Sequence, residues 1–184
     1  MGEHAFLPEH GNYKDLLSYR KSVVIYDATV VFCDRFFHKY DRTHSQMVQA
    51  ARSGKQNIVE GCAASMASRE TEIKLITVAR ASLEELLEDY RDFLRVKELP
   101  LWAGNSESAK SVRRMIHHPE ESRSYVLNAS ALGAPEVAAN TTICLIHQAN
   151  FLLDRLLLSL EKAFLEQGGL RETMYRARQR SRGK

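Results

Sequence analysis

The sequence predicts an all-α fold, specifically an antiparallel up-and-down four-helix bundle with a long connection before the last helix. The prolines are Pro8, Pro100, Pro119 and Pro135, so residues 9–99 and everything after 135 are free of the strongest helix breaker. Within these windows apolar residues recur at steps of three and four, and no segment has the alternation of a β-strand. Long helices joined by two tight turns and one long connection predict the bundle.

The second predicted helix, residues 44–65, has an unusually small inward face. Its positions at alternating steps of four and three are Met47, Ala51, Gly54, Ile58, Gly61 and Ser65. A glycine within a helix costs about 0.5–1 kcal/mol relative to alanine, so two on one face need a reason. We expect one continuous helix whose bare face admits a neighbouring helix at close range. In the alternative interpretation, Gly54 or Gly61 ends the helix.

The other long helices are predicted over residues 13–39, 69–98 and 135–166. Asn12 and Ser68 are expected to cap the first and third helices, Thr43 and Gln46 form a capping box before the second, and Pro135 suits the start of the last. Gly168 and Gly169 are expected to end it. The predicted inward line of the first helix is Leu16, Tyr19, Val23, Tyr26, Val30, Cys33 and Phe37, and that of the third is Ile76, Ala79, Leu83, Leu86, Tyr90 and Phe93.

The chain divides into a bundle domain over residues 1–169 and a basic tail over 170–184. The connection 101–134 is expected to be irregular apart from a short amphipathic helix over 106–117. The tail has six basic residues against one glutamate, a net charge of +5, which leaves −2 for the bundle domain. The basic character therefore lies in the tail.

The composition, 44% hydrophobic and 27% charged, is typical of a soluble globular protein. No apolar run approaches the roughly 18 residues of a membrane span, and the first residues lack a signal-peptide pattern. The three cysteines are scattered through apolar helical segments, which favours reduced, packed thiols over disulfides. These features predict a cytoplasmic protein without a membrane role.

Three short motifs suggest a family. They are Asn57-Ile58-Val59-Glu60-Gly61, then Ala81-Ser82-Leu83-Glu84-Glu85-Leu86, and Tyr13-Lys14-Asp15-Leu16 at the start. The chain resembles the four-helix-bundle proteins of intervening sequences in bacterial 23S rRNA genes, and the related accessory variability proteins of diversity-generating retroelements. It departs from them at Lys55 and Gln56, where members often have a small residue and proline, and in its long connection and tail, which resemble a subgroup with a C-terminal extension. The resemblance implies homo-oligomers, pentamers in particular, and nucleic-acid or ribonucleoprotein partners, but no catalytic residues.

Enzymatic signatures are weak. A di-iron site in a helical bundle requires Glu-x-x-His motifs, and the sequence has none. His147 alone on the last helix, and His117-His118 in a loop, are weak indications of a metal. The carboxylates around Glu84 are interpreted as a solvated helix face. We therefore expect no enzymatic activity, no metal and no cofactor.

The nucleic-acid-binding residues predicted from charge are Arg113, Arg114, Arg171, Arg176, Arg178, Arg180, Arg182 and Lys184. Arginines at every second position suit a segment laid along phosphates, although a solubilising tail or a continued helix would have the same composition. Arg20 and Lys21 are further candidates for a basic surface. Asn57 and Glu60 mark either an assembly surface or structural pairs, in which Glu60 bonds Arg80 and Asn57 bonds adjacent backbone.

The first and last helices have apolar arcs wider than a monomeric bundle requires, which indicates self-association. In the alternative, the connection 101–134 covers one of these arcs. The leading hypothesis is a non-enzymatic, self-associating helical bundle that binds RNA or another nucleic acid. The alternative is a protein–protein scaffold without a nucleic-acid role.

Overall fold

The computed structural model describes residues 12–65, 68–167, 172, 175, 178 and 179, and within them the regular structure is entirely helical. The helices are α1 (Leu17–Phe36), α2 (Arg42–Ala64), α3 (Arg69–Val96), α4 (Glu107–Arg114), α5 (Pro119–Ala131) and α6 (Pro135–Gln167). The all-α prediction is confirmed. The described ranges hold six α-helices rather than the four of the predicted bundle, because the connection contains two more. Helix α4 lies within the short helix predicted over 106–117, whereas α5 lies where the connection is predicted to be irregular.

Helix α6 is the centre of the arrangement. It packs against α1, α3, α4 and α5, and α2 completes the contacts by packing against α1 and α3. One hydrophobic core runs between α1, α2, α3 and α6, and Val112 of α4 and Val126 of α5 extend it. The connection between α3 and α6 therefore covers part of α1 and α6, as the alternative explanation of their wide apolar arcs supposed.

Helix α2 is continuous through both glycines, and it lies close against α3. A Cβ atom built on Gly54 would stand 2.7 Å from Leu83 Cδ2, and one on Gly61 would stand 3.1 Å from Ile76 Cδ1. Met47, Ala51 and Ile58 on the same face are fully buried. The predicted close approach of a neighbouring helix is confirmed, and that neighbour is α3.

Helix α1 is shorter than predicted and turned to a different face. Residues 13–15 form a 3-10 turn capped by Asn12, and Leu16 is extended, so the helix begins at Leu17 rather than near 13. It ends at Phe36 because Phe37 is also extended. Its buried face carries Lys21, Ser22, Ile25, Ala28, Thr29 and Phe32, whereas the predicted line from Tyr19 to Val30 is half-buried.

Hydroxyl groups explain that rotation. Ser22 Oγ donates to the Tyr19 carbonyl at 2.7 Å, and Thr29 Oγ1 donates to the Ile25 carbonyl at 2.7 Å. The buried Tyr90 hydroxyl in turn donates to Thr29 Oγ1 at 3.1 Å. Because these hydroxyl groups are hydrogen-bonded, the polar side chains can lie in the core. An apolar pattern alone places the buried face of α1 on different residues.

The helix ends follow the sequence signals in part. Ser68 Oγ accepts from the Thr71 amide and caps α3, and α6 starts at Pro135, as predicted. The capping box at Thr43 is wrong, because Asp41 Oδ1 accepts from the Thr43 amide at 2.8 Å and α2 starts two residues earlier, at Arg42. The expected stop at Gly168 and Gly169 lies outside the described residues.

The close spacing of α2 and α3 predicts that alanine at Gly54 and alanine at Gly61 change the free energy of unfolding by different amounts. Gly54→Ala places a methyl group within 2.7–2.8 Å of two Leu83 carbons in the core, so overpacking outweighs the gain in helix propensity. We expect a net loss of about 1–2 kcal/mol in the free energy of unfolding, measured by urea titration.

Two matched variants complete this test. Gly61→Ala meets Ile76 only at 3.1–3.3 Å, so its propensity gain of about 1 kcal/mol should roughly cancel the strain. Gly104→Ala meets nothing within 4 Å and should leave stability unchanged. Equal effects of Gly54→Ala and Gly61→Ala would contradict the packing account.

Candidate functional site

The basic tail is described at four positions, 172, 175, 178 and 179. Glu172, Tyr175, Arg178 and Gln179 are exposed and have helical backbone conformation. Arg178 is therefore available to a partner. The other predicted binding residues of the tail, Arg171, Arg176, Arg180, Arg182 and Lys184, lie outside the described residues.

Arg113 and Arg114 on α4 are exposed but occupy different surroundings. Arg114 stands 3.5 Å from Glu107, an acidic residue two turns earlier. Arg113 donates to the Gly104 carbonyl and lines a cavity. The structure thus separates the two arginines by environment: one is beside a carboxylate, and the other is at the edge of a concave site.

Lys21 does not contribute to a basic surface. Its side chain is fully buried, and Nζ donates to the Met115 carbonyl at 2.8 Å and to Ser122 Oγ at 3.0 Å. Burial lowers the pKa of this amine from 10.5 to about 8. Lys21 therefore ties α1 to the turn between α4 and α5, and the surface prediction for it is wrong.

Asn57 and Glu60, the two polar motif residues on α2, have ordinary structural surroundings. Asn57 Nδ2 donates to the Ser53 carbonyl at 2.9 Å, which matches the backbone bond expected of it. Glu60 is exposed, and its predicted pairing with Arg80 is wrong. Arg80 instead bonds Asp154 of α6 at 2.5 Å, because its guanidinium reaches across from α3 to α6 rather than back to α2.

The concave site is a cavity of about 510 Å³ beneath α4, which sequence reasoning did not find. It lies between α4, the first half of α6, the segment before α4, and one residue of α3. The residues that line it are Arg91, Leu101, Trp102, Gly104, Ala109, Arg113, Ile116, Asn140, Ile143, Cys144, His147, Gln148 and Phe151. The one sequence signal for it is Trp102, the single tryptophan of the chain, in a segment without helical periodicity.

Hydrogen bonds fix the segment before α4 onto α6. The Trp102 amide donates to Asn140 Oδ1 at 2.8 Å, and its indole Nε1 donates to Glu136 Oε1 at 3.1 Å. Asn140 Nδ2 donates back to the Pro100 carbonyl at 2.9 Å. These hydrogen bonds between the segment before α4 and helix α6 hold one wall of the cavity in place without a ligand.

Gln148 on the opposite wall has an unpaired acceptor. Its side chain is 5% exposed, and Nε2 donates to the Val112 carbonyl at 3.1 Å. Because a carbonyl can only accept, this bond fixes which end of the amide is the nitrogen. Gln148 Oε1 is left buried without a hydrogen-bond partner.

The charges around the cavity are cationic. Arg91 and Arg113 line it, and no aspartate or glutamate does. Burial and the nearby Arg91 lower the pKa of His147, opposed by Glu84, so this imidazole is neutral at physiological pH. Burial raises the pKa of the Cys144 thiol, against the influence of Arg113, so Cys144 is a neutral thiol. The lining thus combines apolar surface with two permanent positive charges.

A second surface runs along the later half of α6. Phe151, Leu158 and Leu165 recur every seven residues and are 56%, 65% and 82% exposed. A seven-residue spacing keeps these side chains on one face of the helix. We call these three residues the α6 stripe.

Helix α6 also contains a long apolar stretch. Among the described residues it is the helix, over Pro135–Glu166, that is long and apolar enough to cross a membrane by length and composition, with a mean hydropathy of 1.3. Its first half is packed into the protein core, as expected for the central helix of a globular fold. The described ranges contain no cluster of three or more histidine, cysteine, aspartate or glutamate side chains suited to a metal ion.

Comparisons with protein-family models, curated proteins and solved structures found no match to this chain. The resemblance to the intervening-sequence proteins therefore stays a prediction that rests on the quoted motifs.

The buried amine of Lys21 predicts a pH-dependent stability. Since its pKa is about 8 when folded and 10.5 ordinarily, the unfolded chain binds more protons between these values. Stability therefore rises with pH through this window, by about 2–3 kcal/mol between about pH 7 and pH 10. The measurement is the free energy of unfolding across this range, taken as the difference between the natural chain and Lys21→Met.

The free energy of unfolding is compared between the natural chain and Lys21→Met because buried thiols change its pH dependence in the opposite direction. Burial raises the pKa of Cys33 to about 12, so the unfolded chain loses thiol protons first and stability falls above about pH 9. That loss is common to both chains and cancels. Parallel pH profiles for the natural chain and Lys21→Met would contradict the assignment to Lys21.

Proposed function

We propose that the chain is a non-enzymatic, self-associating helical protein of the bacterial cytoplasm that binds nucleic acid, RNA in particular, as part of a ribonucleoprotein. The observation that carries this proposal is the tail, in which arginines occupy every second position from 176 to 182 and the net charge is +5. Each phosphate that such a segment neutralises releases counterions, which makes binding favourable and dependent on salt. The exposure of Arg178 is consistent with this role.

The proposal includes an up-and-down four-helix bundle made of α1, α2, α3 and α6. Residues 37–41 join α1 to α2, and residues 65–68 join α2 to α3. Connections this short favour antiparallel neighbours. The long crossover 97–134, which holds α4 and α5, then returns the chain to α6 between α3 and α1. This architecture is the one that the resemblance to the intervening-sequence proteins implies.

The α6 stripe supports self-association. Arg155 and Lys162 lie on one flank of the stripe, and Asp154 and Glu161 lie on the other. In a parallel pair of helices, the acidic flank of one copy faces the basic flank of the other. Pairing through the stripe would thus bury apolar surface and match charges at the same time.

Self-association and nucleic-acid binding reinforce each other in this proposal. The stripe ends at Leu165, and the basic tail begins at 170, so a parallel assembly brings several tails to one end. Linked binding segments raise the overall affinity through effective concentration without any new contact. A pentamer, which the resemblance implies, would present five such tails.

A scaffold that binds protein partners without nucleic acid is the second candidate. The α6 stripe favours it directly, because an exposed apolar line is as suitable for a protein helix as for another copy. In that case the tail serves solubility.

Salt-dependent RNA binding tests the main proposal. The full chain is expected to bind single-stranded RNA with an affinity that falls as salt rises, by a slope of about 0.7 per phosphate contact on a logarithmic plot. A chain that ends at Gly169 should lose this binding. The measurement is fluorescence anisotropy of labelled RNA over a salt titration.

Matched tail variants separate charge from length. Glutamine at the five arginines should abolish binding, whereas lysine at the same positions should keep most of it, because nonspecific phosphate contacts need charge. The positions are Arg171, Arg176, Arg178, Arg180 and Arg182. Binding that is absent, or that ignores salt, would leave the scaffold as the better explanation.

The stripe predicts an assembly that charge disrupts. Leu158→Glu places a carboxylate in the centre of the apolar line, so the dissociation constant of the assembly should rise about tenfold or more. Ser159→Glu, an exposed neighbour off the stripe, is the control and should leave assembly intact. Mass by light scattering or sedimentation is the measurement, and a monomeric natural chain would remove the self-association proposal.

A further inference from the structure

We propose that the cavity beneath α4 is a binding site for a small organic anion that has a flat apolar body. The site is separate from the basic tail and from the α6 stripe, so it does not depend on the function proposed above. Two observations in the described structure carry it: the size and apolar lining of the cavity, and the presence of two arginines without a carboxylate among the lining residues.

The size and lining fit a small molecule. A volume of about 510 Å³ lies within the range of about 300–1,000 Å³ that small-molecule sites have. Ile143 is buried in its floor, and Ile116, Trp102 and Phe151 add apolar surface at its sides. Flat aromatic surfaces favour a ligand that is itself flat.

The positive charge selects an anion. Arg113 bonds a neutral carbonyl, that of Gly104, so no lining carboxylate balances it. Arg91 bonds Glu88 through Nη1 at 2.5 Å, and a guanidinium has further donors for a second acceptor. Two guanidinium groups at one apolar cavity, without acidic lining, match a carboxylate or a similar head group.

A pair of indoles tests this proposal on the natural full chain. Indole-3-acetate carries the flat body and the carboxylate, and we expect it to bind in calorimetry. Tryptamine, with the same body and a positive charge, should bind at least about tenfold more weakly, because the arginines repel it.

Matched arginine variants locate the site. Arg113→Gln should weaken indole-3-acetate by about tenfold, whereas Arg114→Gln, its exposed neighbour outside the cavity, should leave the affinity unchanged. Arg91→Gln should also weaken it, and Arg95→Gln, one turn further along α3, is the control. Circular dichroism of each variant verifies the helical fold.

Cys144 supplies an independent measurement. It lines the cavity and is half-buried, whereas Cys33 and Cys62 are buried in the core, so alkylation at limiting reagent should occur first at Cys144. Bound indole-3-acetate should slow that reaction severalfold, as followed by mass spectrometry. The proposal is overturned if indole-3-acetate does not bind at millimolar concentration, if tryptamine binds equally well, or if Arg114→Gln weakens binding as much as Arg113→Gln.

Discussion

The close approach of α2 and α3 is the constraint on which the rest of the arrangement depends. Leu83 and Ile76 of α3 lie directly over Gly54 and Gly61, in the space that side chains on α2 would fill. An adjacent face of α3 meets α6, where Arg80 bonds Asp154 and Glu84 accepts from Asn150. Helix α3 therefore transmits the position of α2 to the central helix, by apolar contact on one face and by polar bonds on the adjacent one.

Polar groups in the interior determine how the remaining elements attach. Thr29 and Tyr90 join α1 to α3 within the core, and Lys21 joins α1 to the turn before α5. Burying a charge among neutral partners costs folding free energy, but the hydrogen bonds that the charged group makes have defined directions. The α4 and α5 pair is consequently fixed to α1 by hydrogen bonds from one amine, and the cavity beneath α4 inherits its shape from that attachment.

The buried faces of the helices can be predicted from the sequence where packing follows the spacing of apolar residues. The line from Ile76 to Phe93 on α3 is buried as predicted, and α2 runs through its glycines because the small face repeats at helical steps. They cannot be predicted in this way where polar residues pack in the protein core. Ser122 and Ser130 lie on the buried face of α5, so that helix has no visible apolar periodicity and was expected to be irregular.

The cavity was beyond sequence reasoning for a different reason. It combines Arg91 of α3, Trp102 of the connection, Arg113 of α4 and Gln148 of α6, which no local pattern relates. Only the folding of the connection back onto α6 brings them together. The charge of Arg113 does not reveal its surroundings, since a helix-surface arginine and a cavity-lining arginine look the same in a sequence.

The central position of α6 has a consequence for how the chain is made. Helices α1 to α5 leave the ribosome before α6. The surfaces of α1, α3 and α5 that pack against α6 therefore lack this helix until it has been synthesised. At translation rates of about 5–20 residues per second, the 33 residues of α6 take about 2–7 s to emerge. During that interval the nascent chain holds an open apolar groove, and chaperones that recognise such surfaces would meet it before folding is complete.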